Sequence, residues 1–203
     1  MSDPCFAAER GWIQVTGAAP LLGTLQMLAP SWPMRDGAAP GHVAAQVVAR
    51  CDSGSWQFAS DAYAVPDLRF DDALSAATGL RGTLIGCTVA LDSRLASLHA
   101  AAVQTAAGAL LLLGENGAGK STLAVALAMR GLRFVGDDRL LLRLSQRPRG
   151  IGLQLTAKLR LPLPATLGPA FRRFTGSRAV LQSASLSLIR FRPEEILPRC
   201  KSL

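Results

Sequence analysis

The sequence predicts an α/β fold: a P-loop-containing sheet with flanking helices, preceded by a small β-rich N-terminal lobe. The apolar run 109–113 is typical of a buried strand, and the good helix formers of 122–129 follow after a glycine-rich segment, 114–121. Short alternating segments broken by Gly, Pro, Ser and Asp fill residues 1–70, which favours strands joined by turns. Strand, glycine loop and helix in direct succession are the observation on which this fold class chiefly depends.

Length and composition indicate a globular protein with one principal core. The chain has 203 residues, of which 49% are hydrophobic and 18% charged, enough to bury a sizeable interior. No apolar run approaches the roughly 20 residues of a spanning helix, and the first residues lack the pattern of a secretory signal. We therefore expect a cytoplasmic protein without a membrane partner. The predicted domains are an N-terminal lobe, a P-loop core and a divergent or truncated basic C-terminal segment, at 1–70, 71–178 and 179–203.

The N-terminal lobe contains a short strand, a short helix and a hairpin in the predicted order. Residues 12–15 favour a strand, and 21–28 favour a helix that ends near Pro30. Residues 42–49 and 55–60 alternate loosely on either side of Ser53 and Gly54, which is typical of a hairpin. No residue of this lobe indicates a chemical function.

The segment between the lobe and the glycine loop contains a helix and a strand. Asp71 and Asp72 favour a helix start, and Gly79 is the predicted end of that helix. Residues 83–91 fit either a strand or a buried helix. Residues 98–103 predict a strand, and a turn leads from it into the loop strand. The two strands should therefore be neighbours, which places His99 near the loop.

The glycine loop fits the phosphate-binding pattern G-x-x-x-x-G-K-[ST] at every fixed position. Glycines allow successive backbone N–H groups to turn inward around a phosphate, and the following helix adds the partial positive charge of its N-terminus. Lys120 is expected to reach the β- and γ-phosphates of ATP, and the Ser121 hydroxyl to ligate Mg²⁺. The predicted nucleotide-binding residues are Gly114, Glu115, Asn116, Gly117, Ala118, Gly119, Lys120, Ser121 and Thr122.

Two consecutive carboxylates end the next predicted strand, 132–135. Asp137 and Asp138 lie 17 and 18 residues beyond Lys120. If this strand runs parallel to the loop strand, both carboxyl ends meet at one edge of the sheet, where ligands gather. One carboxylate can then hold Mg²⁺ and the other can accept a proton from an attacking hydroxyl. The alternative is that the pair forms a turn or a cap, and His99 can be either structural or an assisting residue.

The C-terminal third is basic and weakly patterned. Residues 139–203 carry 13 Lys/Arg and two acids, whereas 1–138 carry 9 Lys/Arg and 12 acids, so the net charges are +11 and −3. The arginines lack interleaved aromatic residues, so we do not expect nucleic acid as a partner. Residues 159–164 predict an edge strand or an extended loop, 171–174 a helical turn, and Pro193 the start of a last helix. The four cysteines lie far apart, so a zinc site is not expected.

The order and spacing of these motifs resemble a known family. Residues 98–103 with His99, the glycine loop, 130–134 and Gly136-Asp137-Asp138 resemble the kinase core of HPr kinase/phosphorylase and, more closely, the shorter bacterial HPr-kinase-like serine kinases. The resemblance covers 97–144. It implies transfer of phosphoryl from ATP to a protein serine, on a fold related to phosphoenolpyruvate carboxykinase. By the same resemblance the catalytic residues are Asp137 as base, His99 and Lys120, and the metal ligands are Ser121 and Asp138.

Two further interpretations of the glycine loop are considered. The loop also resembles that of ABC-transporter ATPases, but the L-S-G-G-Q signature of that family is missing and the Asp pair follows the loop too closely. The second reading is a non-catalytic ATP-binding regulatory module or a plain P-loop ATPase. The serine-bearing protein substrate has no identity in the sequence, and homo-oligomerisation is left open.

Overall fold

The chain folds into two compact units, Met1–Ser97 and Leu98–Leu203, in a computed structural model. The structure describes residues 3–197 apart from 31, 147, 152, 154 and 155. The division lies at 97/98 and not at residue 70, so the helix assigned to the core belongs to the first unit. The C-terminal segment belongs to the second unit and carries two strands, although residues 198–203 lie outside the described part.

In its described residues, the first unit contains a five-stranded sheet and two α-helices. Its strand order is β3-β1-β2-β4-β5, and only β2 and β4 run parallel among the sheet's pairs. The predicted hairpin is confirmed, with Ser53 and Gly54 at positive φ in its turn. The elements are β1 Pro4–Ala8, β2 Gly11–Thr16, a 3₁₀ turn Ala19–Leu21, α1 Leu22–Leu28, β3 Met34–Asp36, β4 Val43–Asp52, β5 Ser55–Ser60, α2 Ala73–Ala90 and β6 Leu95–Leu98.

Helix α2 corrects the prediction that Gly79 ends a helix. Asp72 is the N-terminal cap of the helix: its carboxylate accepts hydrogen bonds from the backbone N–H groups of Leu74 at 3.0 Å and Ser75 at 2.9 Å. It then continues through Gly79 and through the segment 83–91, whose state the sequence left open, as far as Ala90. Burial of nine of its side chains outweighs the weak helix propensity of its three glycines.

The described part of the second unit combines small sheets with two α-helices. Strands β12, β14 and β13 form one antiparallel sheet with β12 at its edge. The segment 159–164, predicted as an edge strand or an extended loop, is edge strand as far as Arg160 and loop through its two prolines. The elements are β7 Ala101–Thr105, β8 Gly108–Leu112, α3 Lys120–Met129, β9 Arg133–Gly136, β10 Leu140–Arg143, β11 Arg149–Ile151, β12 Ala157–Arg160, α4 Pro169–Gly176, β13 Ala179–Gln182, β14 Leu186–Ile189 and a 3₁₀ turn Pro193–Glu195.

The sheet that carries the glycine loop has the strand order β8-β7-β9. Strand β7 runs antiparallel to both neighbours, with Ala101 opposite Leu112 and Ala102 opposite Gly136. The neighbouring strands are therefore not parallel, unlike those of the sheet assumed in the sequence analysis. However, β8 and β9 point the same way on either side of β7, so their carboxyl ends and the amino end of β7 meet at one edge.

A hydrophobic core holds this edge in place. Helix α3 packs Ala124 and Val125 against Val103, Phe134 and Leu159, all of them buried. The Phe134 ring stacks on Phe191 with centroids 4.2 Å apart.

The end of α3 is fixed by its cap. Gly131 has φ 93°, and the N–H groups of Gly131 and Leu132 donate to the carbonyls of Ala128 and Leu127, a Schellman motif. The predicted C-terminal cap is therefore confirmed. In the described ranges, none of the helices has the combination of length and apolar character needed to cross a bilayer.

Candidate active site

The glycine loop leaves β8 and enters α3 without an intervening element. Gly114, Gly117 and Gly119 have φ values of 147°, 86° and 86°, in the region that favours glycine. The loop from Gly114 to Gly119 is exposed. Among the described residues, and apart from its chain neighbours, a β-carbon built on Gly119 has no heavy atom within 4 Å. One built on Gly117 meets only a guanidinium nitrogen of Arg160, at 3.6 Å. The loop therefore presents its backbone to open space at the N-terminus of α3, where an anion is favoured.

The Lys120 side chain curls back over this loop. Its ammonium Nζ donates to the carbonyl oxygens of Gly114 and Glu115, each at 2.8 Å. These contacts hold the cation above the loop, and among the described residues no carboxylate is paired with it. A cation held over exposed backbone N–H groups is suited to phosphate.

Ser121 and Asp137 form the centre of the site. The Ser121 hydroxyl donates to Oδ1 of Asp137 at 2.8 Å, and the Lys158 backbone N–H donates to Oδ2 at 2.9 Å. The Asp137 residue is only 1% exposed. The pKa of its carboxyl is raised, chiefly because burial disfavours the charged form and also because the Asp138 charge lies nearby. The hydrogen bonds from Lys158 and Ser121 lower the pKa but do not offset this effect. The first turn of α3 is thus tied to the end of β9.

Asp138 occupies a different environment from its neighbour. The Arg139 N–H donates to the Asp137 carbonyl at 2.7 Å, and Asp138 between them has φ 66°. A three-residue turn whose central residue has positive φ is rare and strained. The Asp138 side chain is 30% exposed, and its Oδ1 lies 3.8 Å from Nδ1 of His99, itself 42% exposed. A solvent-accessible carboxylate with a histidine beside it can accept a proton from an incoming group.

The predicted residues therefore converge at one sheet edge: Lys120, Ser121, Asp137, Asp138 and His99. His99 lies in the gap between β6 and β7, so residues 98–103 are not one continuous strand as predicted, and this gap faces the end of β9.

A scan against protein-family models and searches of the curated proteins and of the solved structures returned no match. The assignment of this site thus depends on the geometry of its residues.

The donor set fits the expected Mg²⁺ in kind. A serine hydroxyl and a carboxylate in mutual contact are oxygen ligands of the type that Mg²⁺ takes from a protein. The part of the chain that the structure describes contains no group of three or more His, Cys, Asp or Glu side chains arranged to hold a metal. Magnesium in nucleotide sites uses one or two carboxylates together with phosphates and water, so a cluster of that kind is not required.

Strand β12 is the part of the site that the sequence analysis does not predict. Its Lys158 N–H binds Asp137, and its Arg160 guanidinium lies beside Gly117. The available signal was the alternation Ala157-Lys158-Leu159-Arg160, in which the apolar residues are buried and the cations exposed. Nothing in local sequence connects this strand with a loop about 40 residues earlier, because that contact is made only by tertiary packing.

Proposed function

We propose that this chain binds ATP with Mg²⁺ at the 114–121 loop and transfers the terminal phosphoryl group to a serine hydroxyl of a protein. The observation that carries the proposal is the hydrogen bond from Ser121 to the buried Asp137 carboxylate. It joins the phosphate loop to a strand end that also holds Asp138 beside His99. A phosphate cradle, a metal-ligand pair and an accessible base then lie at one sheet edge.

Binding is the task of the loop and of α3. The exposed backbone N–H groups of the loop and the Lys120 ammonium neutralise phosphate charge. Ser121 and Asp137 would hold Mg²⁺, which offsets charge on the phosphate oxygens when bound. Asp137 is favoured for this role since it is already hydrogen-bonded to the Ser121 hydroxyl and oriented by Lys158.

Proton transfer is the task of Asp138 in this proposal. Its carboxylate is exposed enough to meet an acceptor hydroxyl, whereas Asp137 is buried and already accepts two hydrogen bonds. Asp138 takes the hydroxyl proton as the new oxygen–phosphorus bond forms and the bond to the leaving diphosphate breaks. His99 orients Asp138. These roles exchange those that the resemblance assigns to the two aspartates.

The choice of a protein serine as acceptor comes from the resemblance to HPr-kinase-like serine kinases. That resemblance covers His99, the loop and the Asp pair in the same order. A plain ATPase would use the same loop and Asp137 but transfer to water. A regulatory module would bind ATP and transfer to neither acceptor. The three functions predict different products from labelled ATP.

The test is incubation of the protein with Mg²⁺, γ-labelled ATP and a cell lysate. We expect an acid-stable, alkali-labile phosphoprotein, which is the stability pattern of phosphoserine. Lys120→Ala should abolish both the label and ATP binding, because the loop loses its cation. Release of labelled phosphate without a phosphoprotein would instead identify an ATPase. ATP binding and turnover that are unchanged in Lys120→Ala would refute the assignment of the loop.

A further inference from the structure

Arg160 lies at the end of β12, a strand that packs against α3 and binds Asp137 at the end of β9. Residues 157–160 pair in register with 186–189 of β14. Ala157 and Leu159 are buried in the core that also contains Ala124 and Val125 of α3. The opposite, exposed face of β12 carries Lys158 and Arg160. The strand therefore holds two cationic side chains on the face away from the core.

The register of β12 relative to Asp137 determines where those cations lie. The Lys158 N–H is 2.9 Å from Oδ2 of Asp137. Two residues of extended strand advance roughly 6.6 Å, and at that point the Arg160 Nη1 comes to 3.6 Å from the β-carbon position of Gly117. The guanidinium thus lies beside the middle of the phosphate loop, on a strand whose backbone also contacts Asp137.

The Arg160 guanidinium faces Gly117 of the loop. Within the described residues it has no ion pair or side-chain hydrogen bond, in contrast to Arg178, which binds Glu195, and Arg172, which binds two carbonyls. Gly117 leaves the space in front of it open, since any side chain there would contact Nη1. An exposed, unpaired arginine facing a glycine of a phosphate loop is positioned for an anion.

We propose that Arg160 recognises the terminal phosphate of the bound nucleotide and so determines preference for a triphosphate over a diphosphate. Lys120 and the Ser121–Asp137 pair define the side of the site where the β- and γ-phosphates belong. Arg160 extends from the strand that contacts this pair. The role rests on the proposed function, because it requires a nucleotide in the loop.

The experiment is equilibrium binding of MgATP and MgADP, measured by titration calorimetry on the full chain without any acceptor protein. Arg160→Gln should weaken ATP binding about tenfold or more, as expected for loss of a charge-assisted contact, and leave ADP affinity within about twofold. Arg160→Lys keeps the positive charge but loses the planar set of guanidinium N–H donors, so it should recover part of the ATP affinity. Circular dichroism and thermal unfolding verify that each variant is folded.

Arg133→Gln is the matched control, since it removes an arginine from the far end of β9, opposite the edge where Asp137 lies. Its affinities for both nucleotides should equal those of the parent. Equal weakening of ATP and ADP by Arg160→Gln, or no weakening of either, would overturn the role of Arg160 while the proposed function stands. Failure of the parent to bind either nucleotide would overturn the proposed function and this inference with it.

Discussion

Asp137 and Asp138 are adjacent in the chain but differ in exposure, hydrogen bonding and backbone conformation. Asp137 is buried and accepts hydrogen bonds from Ser121 and Lys158. Asp138 is in a strained turn at φ 66°, with His99 beside it and part of its side chain in solvent. Sequence alone cannot separate the two, because their difference arises from which one faces the first turn of α3.

Replacing each aspartate by asparagine tests the assignment of roles. Asp137→Asn places an amide next to two hydrogen-bond donors, so we expect MgATP affinity to fall about tenfold or more, as for other groups that orient a metal site. Asp138→Asn should keep MgATP affinity within about twofold and lower phosphoryl transfer by at least about 100-fold, since the base is lost. Calorimetry measures binding, and labelled ATP with the acceptor measures transfer. The reverse pattern would support Asp137 as the base.

Helix α2 shows, at the level of an element, why the sequence prediction fails there. Gly79 and Gly86 lie inside the helix, where glycine is normally disfavoured. A β-carbon on Gly79 would lie 2.5 Å from Cζ of Phe70, and one on Gly86 would lie 2.5 Å from Cε1 of Tyr63. These glycines therefore make room for aromatic rings rather than ending the helix. This role depends on tertiary packing, which the sequence around Gly79 does not reveal.

Alanine at these glycines should reverse the usual effect of a Gly→Ala change in a helix. Gly79→Ala and Gly86→Ala overpack the rings and should lower the free energy of unfolding by about 1–3 kcal/mol. Gly82→Ala is the matched control, because its β-carbon would have no heavy atom within 4 Å. It should raise the free energy of unfolding by up to about 1 kcal/mol. Chemical denaturation measures all three, and stabilisation by Gly86→Ala would contradict the packing argument.

The elements of the candidate site are predictable from sequence to different extents. Strand β8, the loop and α3 follow from local patterns, as does the pairing of β7 with β8. The carboxyl ends of β8 and β9 meet at one edge as predicted, but the predicted parallel pairing is wrong. The two strands point the same way because each is antiparallel to β7, which lies between them. The place of β12 depends on packing between distant segments.

At the scale of the whole molecule, the sequence predicts a mixed α/β chain with a β-rich beginning that ends at residue 70, whereas the two compact units divide at 97/98. Alternation and turn residues identify the hairpin of the first unit, and nothing comparable shows that α2 belongs with it. The basic C-terminal segment also contains regular structure: β14 pairs with β12 on one side and β13 on the other, and the chain beyond them returns to β9. Aperiodic sequence hides these strands because each is only four residues long.

The stability of the chain should depend on pH through Glu195, which ties this returning segment to Arg178 in the turn between α4 and β13. Glu195 accepts hydrogen bonds from the Arg178 guanidinium and, at 2.8 Å, from the Arg192 N–H. The pKa of Glu195 is lowered, chiefly by the hydrogen bond from the Arg178 side chain. Burial opposes this effect, and the hydrogen bond from the Arg192 N–H adds to it. Since the folded pKa lies below the unfolded value of about 4.3, the stabilisation is full above that pH and is lost as pH falls through the folded pKa.

Glu195→Gln should therefore lower the free energy of unfolding at pH 7 by on the order of 1 kcal/mol or less, the usual range for a partly exposed ion pair. The difference between parent and variant should shrink as pH falls below about 4, because protonation removes the same charge in the parent. Glu194→Gln is the matched control, since the neighbouring Glu194 is exposed, and it should change stability equally at every pH. Urea denaturation between pH 3 and pH 7 measures the free energy of unfolding of the parent and both variants. If Glu195→Gln remains equally less stable than the parent at the acid end, Glu195 stabilises the fold by packing and not by its charge.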